Sequence, residues 1–239
     1  MESFQYVDIF ATKGIEYVIV MVFLAGFVYF SRYLSHRAPA PAEASAHPRS
    51  LVEYFRVPDG YHFHQGHTWL KAEGDQLVSV GMDDFAQKLL GKVDTIRLPA
   101  VGEKLAQGEK GWEFAVQEKT IHMLSPVDGE VVAVNREAIR NPDLLGQDPF
   151  ERGWLLKVRP ARFPSNKRNL LSGQMARQWM SSVLERLRGE VGKAISQEGS
   201  SVGTAYQDGG TPVQGIARAL AGDRWEEMAK GYFLTDGNE

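Results

Sequence analysis

The sequence predicts a mainly β fold with flanking helices, preceded by one membrane-spanning helix. Three observations carry this reading. Short apolar runs that alternate with polar residues, broken by glycine turns, fill residues 57 to 160. One apolar run, Ile15 to Phe30, stands near the N-terminus. Beyond residue 170, apolar residues recur every four positions.

The N-terminal run, IEYVIVMVFLAGFVYF, is apolar except for Glu16. As a helix it rises roughly 24 Å, short of a ~30 Å hydrocarbon core. Extension to Leu34 closes the gap, with Arg32 reaching the interface and Tyr17, Tyr29 and Tyr33 near the two surfaces. A tail, residues 1–14, precedes the predicted span 15–34. A cleaved leader would need a basic n-region and a nearby small-residue site. Instead Glu2, Asp8 and Glu16 stand against Lys13, and Ala38–Ala40 and Ala44–Ala46 lie well past the run. A buried core helix is the plain alternative, but a segment this apolar, followed by a linker, has little to pack against. Arg32 and Arg37 follow the span, which places the C-terminal bulk in the cytoplasm by the positive-inside rule. The expectation is a single-pass protein of the inner (cytoplasmic) membrane that meets the lipid bilayer through 15–34.

Residues 35–56 form a linker. Its HRAPAPAEASAHPRS stretch, His36 to Ser50, alternates alanine and proline with few apolar residues, as a semi-extended tether does. A β domain with a C-terminal helix is expected over 57–190. Gly74-Asp75 is a turn signal, and Gln76 to Gly81 alternates as a half-buried strand. Asp83 and Asp84 open a short helix with Phe85, Leu89 and Leu90 on one face, ended by Gly91. Val93, Ile96 and Leu98 are the candidate inward positions of the next strand. Trp112, Phe114 and Val116 alternate in another, and Ile121 and Met123 in its successor. Pro126-Val127-Asp128-Gly129 is a turn, followed by a strand to Val134. Many short strands at close spacing mean a sandwich or flattened barrel of antiparallel strands.

The order GHTWLK, VSVGMDDFAQKLLG, LPAVGEKLAQGE, SPVDGEVVAVN, NPDLL and DPFERGWLLKVRP, over about His64 to Pro160, resembles the glycine cleavage system H-protein, a lipoyl-domain-like family. The SPVDGEVV turn is shared by biotinyl and lipoyl domains in general. Asn141 to Leu145 through Gly153-Trp154-Leu155 is the more specific part. The resemblance implies two antiparallel sheets with short helices. It also implies a hairpin-tip lysine that bears lipoate as a swinging arm. Such a carrier would work with a glycine decarboxylase, an aminomethyl transferase and a dihydrolipoyl dehydrogenase.

Lipoate is held by an amide, which needs a lysine amine. The family's lysine lies seven residues before the small residue that precedes the turn proline. Seven back from Ser125 is Glu118, and the count forward from Gly108 agrees. Lys119 is one place off, and a one-residue slip in a hairpin reverses the face of a side chain. Val116-Gln117-Glu118-Lys119-Thr120 replaces the family's Glu-Ser-x-Lys-Ala pattern. Two readings follow: the hairpin kept without cofactor, or lipoate on Lys119 after a compensating shift. For Lys119 itself the plain reading is a solvated turn charge.

Other chemistry is sparse. His62, His64 and His67 form a His-x-His-x-x-His run, and two of them would share one strand face, which can suit a metal. No acid or cysteine accompanies them, and His67 falls on a histidine of the family's H-x-W pattern. There is no cysteine, hence no disulfide or thiolate site. A net charge of −3 argues against nucleic-acid partners. No Ser-His-Asp set, P-loop or dinucleotide fingerprint appears, so a stand-alone enzyme is not expected. Asp83-Asp84 and Glu226-Glu227 read as helix charges rather than catalytic dyads.

Leu171, Met175, Trp179, Val183 and Leu187 predict an apolar stripe on a helix over about 170–190, packed on the β domain or facing a partner. Residues 191–214 read as a Gly/Ser-rich linker. Residues 215–239 read as a short helical tail carrying Ile216, Leu220, Trp225, Met228 and Tyr232, with Asp223 and Glu226 as a candidate capping pair. It is too small for its own core. The functional expectation is a non-enzymatic, membrane-anchored scaffold or docking subunit of a larger protein complex, without bound cofactor. The alternative is an active lipoyl carrier with lipoate on Lys119, and a weaker one is a histidine-based metal-binding module.

Overall fold

The computed structural model describes residues 11–37, 54–74, 76–197, 206–207, 211–212 and 214–235. The tail 1–10, most of the Ala/Pro linker and much of the stretch 198–213 lie outside the described residues. The chain divides into two units, Met1–His47 and Pro48–Glu239.

The first unit is the helix α1 (Ala11–Arg37). The expectation of a membrane-spanning anchor, and with it the inner-membrane location and the bilayer contact, is corrected here. No helix among the described residues is long and apolar enough to cross a membrane. Within α1 the uncharged run between Glu16 and Arg32 rises roughly 22 Å, short of a ~30 Å hydrocarbon core.

The second unit holds two antiparallel sheets with flanking helices. The larger sheet has the order β10-β1-β2-β3-β9-β8-β5. Its strands are β1 (Tyr61–His64), β2 (Thr68–Ala72), β3 (Val78–Met82), β5 (Lys104–Leu105), β8 (Gly129–Val134), β9 (Leu156–Pro160) and β10 (Leu171–Ser172). The smaller sheet has the order β4-β6-β7, from β4 (Thr95–Arg97), β6 (Lys110–Val116) and β7 (Lys119–Leu124). A further pair, β11 (Tyr206–Gln207) with β12 (Thr211–Pro212), falls in the expected linker. The alternation read from sequence holds in β6 and β7, where Trp112, Phe114, Val116, Ile121 and Met123 are buried. They join Leu70 and Val80 of the larger sheet in one apolar cluster. Each fully buried side chain of this kind contributes roughly 1.5–3 kcal/mol.

Helix α2 (Asp84–Leu90) adds Phe85, Leu89 and Leu90 to the same cluster. Its start is fixed by the Asp83 carboxylate, which accepts the Ala86 N–H at 2.8 Å. Gly91 ends it at φ 75°, in the left-handed region that glycine enters without strain, and its N–H bonds the Gln87 carbonyl at 2.7 Å. Short helices α3 (Arg136–Arg140) and α4 (Leu144–Gln147) follow β8, and α5 (Phe163–Arg168) follows β9.

Helix α6 runs Gly173–Gln197, starting after Leu171, which belongs to β10, and passing through Gly192. Its buried residues are Ala176, Met180, Leu184, Leu187 and Val191. Met175, part of the predicted stripe, is 58% exposed. The cause is geometric. A strict four-residue step turns about 400° at 3.6 residues per turn, so the stripe drifts off the buried face.

The chain ends in α7 (Ile216–Ala221) and α8 (Trp225–Phe233), joined by a 3₁₀ turn, Gly222–Arg224. These pack on their own domain. Ile216, Ala217, Trp225, Ala229, Tyr232 and Phe233 are buried in the main cluster, and the Gly215 N–H bonds the Lys88 carbonyl at 2.8 Å. The expected Asp223–Glu226 cap does not form. The cap position of α8 is Arg224, without a side-chain bond.

Candidate functional site at the hairpin tip

The β6–β7 hairpin closes through two residues. Val116 pairs with Lys119, which leaves Gln117 and Glu118 as the tip. Both lie in the left-handed region, at φ 48° and 66°, as a two-residue type I′ turn requires. Neither is glycine, so the turn carries some backbone strain. The Gln117 N–H donates to the Asp94 carboxylate at 2.8 Å, which ties the tip to the segment before β4. Gln117, Glu118 and Lys119 are exposed.

The two candidate residues therefore differ in kind. Glu118 is the second residue of the turn, with an acceptor-only carboxylate. Lys119 is the first residue of β7. Its Nζ lies 3.0 Å from Glu226 Oε2 on α8, and the other Glu226 oxygen lies 3.1 Å from Lys230 Nζ. The hydrogen bond from Lys119 is the main cause that holds the Glu226 carboxyl below its usual range, against the opposing effect of burial. The Lys119 side chain is 50% exposed, so the ion pair is a surface one, worth below about 1 kcal/mol. Sequence reasoning missed Glu226, which read as a helix surface charge. It also missed Asp94. Both partners are far from the tip in sequence and no local pattern marks them.

A second turn, Ser125 to Gly129, lies directly after β7 and is held far more densely. The Ser125 hydroxyl donates to the Val127 carbonyl at 2.8 Å. The Asp128 carboxylate accepts the Gln107 N–H at 2.8 Å, the Asn166 amide at 2.9 Å and the Arg162 guanidinium at 2.9 Å. The Gln107 N–H is the leading cause that draws the Asp128 carboxyl below its usual range. A side chain on Gly129 would collide with the Arg159 carbonyl across the β8–β9 ladder.

The histidines do not converge. His62 and His64 share one face of β1, and His64 Nδ1 accepts the Gly66 N–H at 3.0 Å. Burial pushes both imidazoles below their ordinary value. His67 is fully buried elsewhere, its Nδ1 2.8 Å from Asp83 and its ring stacked on Phe85 with centroids 4.4 Å apart. It sits at φ 61°, a conformation held in place by that packing. Among the described residues no group of three or more His, Asp or Glu side chains is placed to hold a metal ion. The metal-module reading is therefore dropped.

Two antiparallel sheets, a projecting two-residue hairpin and the packed SPVDGE turn beside it define a small hairpin-presenting domain of the lipoyl type. The particular family is shown by comparison. The family model "Glycine cleavage H-protein" matches residues 61–183, and the chain belongs to that family. It is 30% identical over 132 residues to the "Probable glycine cleavage system H protein" of Thermococcus kodakarensis, covering 55% of this chain and 98% of that one. It is 39% identical over 102 residues to the "Glycine cleavage system H protein" of Mycobacterium avium, covering 43% and 77%. A crystal structure of a glycine cleavage system H protein from Mycobacterium marinum matches with 26% identity and a TM-score of 0.45, covering 53% of this chain and 98% of that one. Helices α7 and α8 lie beyond the family match.

Proposed function

We propose that this chain is a non-enzymatic docking or scaffold subunit, an H-protein-like domain that holds its hairpin without lipoate. One observation carries this. The tip position reached by the family's count is Glu118, whose carboxylate forms no amide with lipoate. The neighbouring amine, Lys119, belongs to a strand and faces Glu226 of its own C-terminal helix. The domain otherwise keeps the packed turn and both sheets, so its surfaces remain available to protein partners. Its relatives are named for the glycine cleavage system, and proteins of that kind of assembly are the first partners to test.

The second reading is a lipoyl carrier loaded at Lys119. The half-exposed side chain of Lys119 favours it, since a ligase could reach the amine. There the cofactor would supply the chemistry and the domain its presentation. The two readings separate in one experiment. The full chain is incubated with a lipoate ligase that modifies a control H-protein, and its intact mass is measured. The scaffold reading expects no lipoyl adduct. An adduct that disappears in Lys119→Arg establishes the carrier.

A further inference from the structure

A cavity of about 280 Å³ opens between the end of α2, helix α4 and the segment that leads into α7. It is just below the usual size of small-molecule sites. Its floor is apolar, with Val93 and Leu145 buried beside the bare backbones of Gly91 and Gly146. Its rim is polar and exposed, from Lys92, Asp143 and Gln214. One polar side chain stands at the floor. Gln87 on α2 is 4% exposed, yet its Oε1 has no hydrogen-bond partner among the described residues. A buried amide oxygen is costly unless something donates to it.

Gly146 brings a second amide to the same place. A Cβ built there would stand 2.7 Å from Gln87 Nε2 and 3.8 Å from Gln214 Nε2. The two carboxamides therefore flank one point, which a residue without a side chain leaves open. The residue after Gln214 holds it there, since the Gly215 N–H bonds the Lys88 carbonyl of α2 at 2.8 Å. Gln214 lies beyond the family match, so the C-terminal segment of this chain completes the site.

The floor sets the ligand class. A carboxamide accepts at its oxygen and donates at its nitrogen. Its complement is a planar neutral group with a donor beside an acceptor, joined by two parallel hydrogen bonds, as when glutamine reads an adenine edge. A carboxylate has no donor to offer Oε1, and Lys92 and Asp143 balance in charge at the rim. The smallest such group is another carboxamide, and the apolar floor suits a hydrocarbon body attached to it. We infer that this cavity binds a small carboxamide, its amide paired with Gln87 and bordered by Gln214. The inference holds for either reading of the hairpin tip.

The test is a titration of the full ¹⁵N-labelled chain with benzamide, followed at the Gln87 side-chain NH₂ resonances, which are assigned by their loss in Gln87→Met. Benzamide should shift them saturably, with a Kd on the order of a millimolar for so small a ligand. Gly146→Ala puts a methyl at the shared point and should weaken the titration about tenfold or more. Gln87→Met loses no partner, so it should unfold at the native temperature and weaken the titration by a similar factor, read at the Gln214 NH₂ resonances. Benzoate should leave the resonances in place. No saturable shift up to about 20 mM benzamide, or an unchanged titration in either variant, would overturn the proposal and leave a buried water as the partner of Gln87. An equal response to benzoate would overturn the amide pairing.

Discussion

The two turns that bracket β7 lie in the same fold and are held in opposite ways. The Ser125–Gly129 turn is fixed from every side, by Gln107, Asn166 and Arg162 on Asp128 and by the Arg159 carbonyl against Gly129. The Gln117–Glu118 tip is exposed, strained at two non-glycine residues and tied by one N–H to Asp94. Packing constrains the residues of the first turn far more than those of the second. On the proposed scaffold reading, the tip could change without loss of the fold.

Substitutions can break or sharpen that contrast. The largest effect is expected at Gly129→Ala, where a Cβ meets backbone that cannot step aside. A loss of about 3 kcal/mol in denaturant unfolding is expected, against no loss if the ladder is looser than described. Asp128→Ala should cost about 2 kcal/mol, since bonds to an ionised carboxylate are the stronger kind. Because the Asp128 carboxyl is held below its ordinary value, its contribution is complete above the unfolded pKa and fades as pH falls through the folded one. The variant should therefore show a shallower loss of stability on acidification, read as Tm against pH from neutrality to about pH 3.

At the tip the sign reverses. Glu118→Gly should stabilise by about 0.5–1 kcal/mol, because glycine enters the left-handed region without strain. A destabilised variant would show that the carboxylate is structurally held after all. The smallest effect is expected at Glu226→Gln, below about 0.5 kcal/mol for a half-exposed ion pair. The Lys119–Glu226 pair has the same pH sense as Asp128, present above the unfolded carboxyl pKa and lost on acidification. A large destabilisation by Glu226→Gln would make α8 a part of the tip's support rather than a neighbour of it.

Local signals made much of this legible in the sequence. The α2 cap at Asp83 and stop at Gly91, the alternation of Trp112, Phe114 and Val116, and the packed turn all follow from short-range chemistry. Where the reading failed, the deciding contacts were long-range or the geometry was cumulative. The four-residue stripe drifted off the α6 face. The Asp223–Glu226 cap gave way to a contact of Glu226 with Lys119, which is remote in the chain. The apolar N-terminal run reads as an anchor by composition, whereas no helix among the described residues is long and apolar enough to span a membrane. At the candidate site the offset of one residue between Glu118 and Lys119 could be counted in the sequence. The partners Asp94 and Glu226 could not, because only the fold brings them to the hairpin.

The most direct test compares the native chain with Glu118→Lys. Both are treated with lipoate ligase, and the peptide spanning Trp112 to Ser125 is mapped by mass spectrometry. An unmodified native peptide and a lipoyl adduct on residue 118 of the variant are expected, because on the scaffold reading the turn lacks only the amine. A lipoyl adduct on Lys119 of the native chain would contradict it.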